Sequence, residues 1–103
     1  KGDSIKGLVG WEWHGAPAMD LPGMSVVARG DATINGRNVG QYSATLYDGP
    51  KDNVGFNAAT IWWANGLSSP PGHVNPSRHG VVQQGPDKRV QRITHNLFQR
   101  MIS

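Results

Sequence analysis

Only one glutamate occurs in the 103 residues, and it lies between two tryptophans in "WEWH", Trp11 to His14. A carboxylate and an imidazole two positions apart are suited to general acid/base chemistry, since each can take or give a proton at a reacting centre. On an extended strand successive side chains alternate faces, so Glu12 and His14 would project to one side and Trp11 and Trp13 to the other. Strand ends are where α/β proteins place their active sites. The competing reading makes Glu12 an edge carboxylate paired with a cation such as Arg29, and His14 a solvent-exposed histidine.

Other chemistry-bearing residues form weaker patterns. His73 and His79 precede Asp87 but match none of the short spacings of zinc sites, which need three or four ligands. Tyr42 and Tyr47 stand an odd number of residues apart, so on one regular strand they face opposite ways. Ser4, Ser68, Ser69 and Ser77 lack a nucleophile-elbow setting. The glycines of "GLVGWEWHG" precede an aromatic strand with no helix start, which is not the arrangement of a phosphate loop. Trp62 and Trp63 are adjacent, which sends one to the core and leaves the other as a candidate pocket wall.

The elements that must position these residues can be read from pattern. "IKGLVGWEW" (5–13) is apolar, aromatic and bounded by "HGAP", as a mostly buried strand would be. "SVVAR" (25–29) is a second candidate strand. Asn35-Gly36 lies between short β-prone runs, a two-residue hairpin signal because a type I′ turn needs positive φ at both central positions. "QYSATLY" (41–47) follows, and the almost wholly apolar "VGFNAATIWWA" (54–64) reads as an interior strand covered on both faces. Residues 65–86, broken by proline and glycine, predict a long loop of the kind that forms binding or partner-covering elements. Asp87 can cap a helix in which Val90, Ile93, Thr94, Leu97, Phe98, Met101 and Ile102 recur at helical spacing. The expected organisation is thus about five strands over 5–64, the loop 65–86, and a helix over 87–102, in a single domain or part of one.

Composition narrows the class. The residues are 37% hydrophobic and 17% charged, with 14 glycines and 7 prolines, which fits an ordered, loop-rich domain better than disorder or a helical bundle. No cysteine is present, which removes disulfides and thiolate chemistry together. The net charge of +3 is spread singly except in "DKRVQR" (87–92), a weak pattern for nucleic acid, which asks for a clustered basic face with aromatics. No run reaches the roughly 18 apolar residues of a membrane helix and no signal-peptide core is recognisable, so no membrane partner is expected and a cytoplasmic setting is.

Three blocks carry a family likeness. "LVGWEWHGAP…LPGMSVVAR", "YSATLYDGPKDNVGFNAATIWWANGL" and "DKRVQRITHNLFQRMI" together resemble the C-terminal stretch of the large subunit of N,N-dimethylformamidase and its relatives, across most of 5–64 and 87–102. That family has a domain similar to class I glutamine amidotransferases. The resemblance therefore implies an α/β piece, mainly β and closed by one helix, within a larger flavodoxin-like domain. It also implies hydrolysis of the amide C–N bond of small formamides, with a mononuclear iron held by two tyrosines and a carboxylate. Glu12 matches the acid of a "G-[WY]-E"-like strand end and is the implied proton-transfer residue, with His14 beside it. Trp11, Trp13 and Trp63 would shape the substrate pocket. The iron ligands are expected upstream of Lys1, since no Tyr-Tyr-Glu set assembles from these residues, and the partners are the amide substrate and further chain or subunits. Two departures stand out: His14 occupies a place where an acid or small polar residue is expected, and the loop 65–86 exceeds the family's usual connection. The rival expectation is a small, non-catalytic β-rich module that binds a partner through its loop and tryptophans.

Overall fold

The computed structural model describes residues 2–10, 12–73 and 85–103. Its centre is a three-stranded antiparallel sheet in the order β1-β2-β3, formed by β1 (Met24–Ile34), β2 (Arg37–Asp48) and β3 (Val54–Asn57). Asn35 and Gly36 join β1 to β2 with φ of 49° and 76°, the left-handed pair that a tight two-residue hairpin demands. Asparagine tolerates this region because its short amide bonds locally, and glycine because it has no Cβ. The register slips between Val26 and Ala28 and between Ala32 and Thr33, placing two irregularities along the β1–β2 ladder, with Val27 the extra residue on β1 and Val39 that on β2. Such bulges twist an edge away from further pairing.

A short 3-10 helix (Trp63–Gly66) and the helix α1 (Lys88–Ile102) follow the sheet. Asp87 caps α1 as expected: its Oδ1 accepts from the Arg89 backbone N–H at 2.8 Å, and both its oxygens accept from the Arg89 side chain. That side-chain bond is the main reason the Asp87 carboxyl is held down to about 2. Arg89 also donates to the Ser4 carbonyl at 2.8 Å, tying the start of the helix to the N-terminal segment. One arginine of the basic run is therefore spent on a helix cap.

The core is small. Tyr42, Ala44 and Ala59 are buried together, with Val9, Trp13 and Phe56 packed against them. Val90 is the only fully covered large side chain among the described residues, seated beside Gly66 and Leu8. Trp63 links the two halves, donating from Nε1 to Thr94 Oγ1 at 3.1 Å and meeting Phe56 edge-on with ring centroids 5.3 Å apart.

Three expectations need correction. The described residues of 5–13 are not a strand; among them only Trp13 pairs, through an isolated antiparallel bridge to Thr60. Gly7 at φ 78° and Glu12 at φ 51° break the extended run that its apolar composition suggests. The stretch 54–64 is strand only from Val54 to Asn57, and β3 is an edge strand, not an interior one. Its extension stops because Asn57 Oδ1 accepts from Ala59 N–H at 2.9 Å, bending the chain into Ala59 at φ 57°. Three strands, not five, therefore form the sheet of the described residues. The predicted loop 65–86 holds part of the 3-10 helix at its start, and residues 74–84, with His79 and Ser77, lie outside the described residues.

Candidate functional site

Trp13 and His14 join the sheet where β3 ends. β3 pairs with β2 only across Thr45 to Asp48. Beyond it, the His14 carbonyl accepts from Ser43 N–H at 3.1 Å and His14 N–H donates to the Ala59 carbonyl at 2.9 Å. His14 is thus clamped by backbone bonds on both sides. Trp13 turns inward against the Tyr42 cluster, beneath Gly40, where any Cβ would strike the indole ring.

Glu12 and His14 come together on one open concavity of about 350 Å³ whose wall also includes Phe56, Asn57, Ala59 and Thr60. That volume lies at the lower end of the roughly 300–1,000 Å³ range of ligand pockets. Strand alternation is not what unites them, since Glu12 adopts a left-handed backbone; the turn at Glu12 and the bridge at Trp13 do so instead. Trp13 faces the core and Trp63 is occupied with Thr94 and Phe56, so neither contributes to this wall, and Trp11 lies outside the described residues. No ion pair joins Glu12 to Arg29 or to any other cation among the described residues.

Among the described residues, four non-glycine residues have positive φ: Glu12, Asn35, Asp52 and Ala59. Asparagine and aspartate visit this region readily, whereas glutamate and alanine do so at a cost of about 1–2 kcal/mol each. Both of the costly positions belong to the same concavity. Backbone held against its preference at a cleft is a known accompaniment of functional sites.

Asn57 supplies a polar link that residue type alone did not reveal. Its amide nitrogen lies 3.2 Å from His14 Nδ1, while its oxygen is held by Ala59 N–H. The signal was an asparagine at the end of an apolar strand, a position where its side chain can bond two residues on. Behind the wall, the Tyr42 hydroxyl donates to the Ala58 carbonyl at 2.7 Å, and burial pushes its phenol up to about 12. Thr60 Oγ1 donates to the Leu8 carbonyl at 2.9 Å and accepts from Trp62 N–H, which fixes the floor to the N-terminal segment.

The residues present do not fit an iron centre of the two-tyrosine, one-carboxylate kind. Tyr42 is buried with its hydroxyl engaged, and Tyr47 lies on the opposite face of β2. Among the described residues no three histidine or acidic side chains gather as a metal cluster would require. No described helix is long and apolar enough to cross a membrane. In comparisons with known proteins, no family model, no curated protein and no solved structure matches the chain.

Proposed function

We propose that this chain forms part of an amide C–N hydrolase acting on small formamide-type substrates, the activity implied by its resemblance to the N,N-dimethylformamidase large subunit. One observation carries the reading: the lone glutamate and the clamped His14 share a concavity at which two unfavourable backbone conformations, Glu12 and Ala59, are maintained. In this reading the piece belongs to a larger amidotransferase-like, flavodoxin-like domain, completed by further chain or subunits that also supply any iron.

The residues suggest a simple division of steps. The Glu12 carboxylate accepts a proton from the attacking water as the C–O bond forms, then returns it to the nitrogen as the C–N bond breaks, giving an acid and an amine. His14 contacts the substrate from the same wall.

The test is amide hydrolysis by the native assembly carrying Glu12→Gln. A loss of kcat of about 10²–10⁴-fold is expected, the usual contribution of a general acid/base, with folding intact. Full activity in that variant would sink the proposal.

A second reading, the accessory partner-binding module, is favoured by the exposed Ile93, Phe98, Met101 and Ile102 of α1. It predicts a native complex that retains the chain but is indifferent to changes at Glu12 and His14.

A further inference from the structure

The link between Asn57 and His14 settles more than a contact. The Asn57 carbonyl oxygen accepts from Ala59 N–H, a bond that an amide NH₂ group could not make in its place. The side-chain amide therefore cannot be turned over, and its Nδ2 is the atom 3.2 Å from His14 Nδ1. An NH₂ group only donates, so Nδ1 must receive with its lone pair. In a neutral imidazole the proton then resides on Nε2.

We infer that Asn57 is a positioning residue that locks His14 with an Nε2–H donor left for ligand, so that His14 binds the carbonyl oxygen of an amide and Glu12 alone handles protons. The choice of an amide rests on the proposed function, whereas the locked ring does not. The supports for the lock converge on Ala59. The His14 backbone is placed by bonds to Ser43 and Ala59, its ring meets the Asn57 amide, and that amide is oriented by its own bond to Ala59. Ala59 thus ties down both partners, which gives its unfavourable φ of 57° a purpose. Among the described residues Nε2 has no hydrogen-bond partner, so its N–H is left for a ligand of the concavity. An amide carbonyl is a fitting recipient, because a neutral N–H polarises it without surrendering a proton.

The test is nitrogen-resolved NMR of the His14 ring at a pH where it is neutral, in the wild-type protein and in Asn57→Asp. Aspartate keeps an oxygen for Ala59 N–H but presents a second acceptor to Nδ1. The expected result is an Nε2–H ring in the wild type and a switch to Nδ1–H in the variant. An unchanged tautomer in Asn57→Asp, or an Nδ1–H ring in the wild type, overturns the inference. Should the variant fail to fold, a coupling across the hydrogen bond between Asn57 Nδ2 and His14 Nδ1 in the wild type decides instead: its presence supports the lock and its absence overturns it. In the active assembly Asn57→Asp is expected to lower kcat on the order of 10²-fold, as loss of one preorganised donor does. A switched tautomer in an assembly that hydrolyses no amide would refute the substrate and leave the positioning role standing.

Discussion

Two concavities lie on either side of Phe56, and they are built differently. The first holds Glu12, His14, Asn57 and Ala59, with the His14 and Asn57 side chains joined by a hydrogen bond and the backbone of Glu12 and Ala59 at positive φ. The second, about 440 Å³, runs between the sheet and α1 and is walled mainly by Val27, Leu46, Val54, Ile93 and Leu97, with Asp48, Asn96 and Arg100 at its polar margin. At that margin Arg100 makes an exposed ion pair with Asp52 at 2.7 Å, a type worth little in water. The first concavity combines unfavourable backbone at Glu12 and Ala59 with the His14–Asn57 polar pair. The second has mainly aliphatic walls and neither feature.

Phe56 is the wall that both share, and replacing it tests whether they are separate structures. Phe56→Ala removes the edge contact to Trp63 and the ring packed on Tyr42 and Ala59. Because the ring is only partly buried, the expected loss is about 2 kcal/mol, below the 3–5 of a fully buried phenylalanine. Urea unfolding monitored by tryptophan fluorescence measures it, and a loss under about 0.5 kcal/mol, the level of an ordinary surface change, would mean that the helix is not held to the sheet here.

How much of this was readable from the chain differs between the two sides. The hairpin and α1 were legible because their signals are local: Asn35-Gly36 for the turn, Asp87 and the helical spacing for the helix. Glu12 and His14 could be singled out by type, but the geometry joining them could not, because alternation assumes extended backbone and Glu12 leaves it. Asn57 escaped notice since its partner is 43 residues away. The strands were overcounted for a similar reason: the apolar runs 5–13 and 54–64 satisfy a strand pattern, yet are bent by turns at Glu12 and Ala59 that composition does not announce. Helical spacing grouped Ile93, Phe98, Met101 and Ile102 of α1 in one apolar stripe, but spacing does not report whether anything covers it, and these residues are exposed.

A smaller effect probes the support behind the polar side. Tyr42→Phe leaves the ring in place and deprives the Ala58 carbonyl of its donor, at an expected cost of about 1 kcal/mol. The same hydroxyl makes stability depend on alkaline pH. Its folded value, about 12, is raised above the ordinary 10.0 by burial, so the folded state binds its proton more tightly than the unfolded one. The contribution is then fully present below pH 10 and is lost as pH rises through about 12. Equilibrium unfolding across that window should slope downward in the wild type and lose part of that slope in Tyr42→Phe. Equal slopes would mean that the phenol is no harder to ionise in the folded protein.

The smallest effect separates strain from chemistry at Glu12 itself. Glycine accepts φ of 51° freely, so Glu12→Gly relieves about 1–2 kcal/mol of backbone cost, against which stands roughly 0.5–1 kcal/mol for the glycine's greater freedom when unfolded. A net gain of about half a kcal/mol is expected, together with the same loss of activity as Glu12→Gln. Glu12→Ala is the necessary partner, because it removes the carboxylate and keeps the unfavourable backbone. If the conformation is strained, the glycine variant is the more stable of the two, and the protein holds its only glutamate in place against the local preference of the chain. If alanine and glycine are equally stable, Glu12 rests there without cost, and the contrast between the two concavities reduces to their hydrogen bonds.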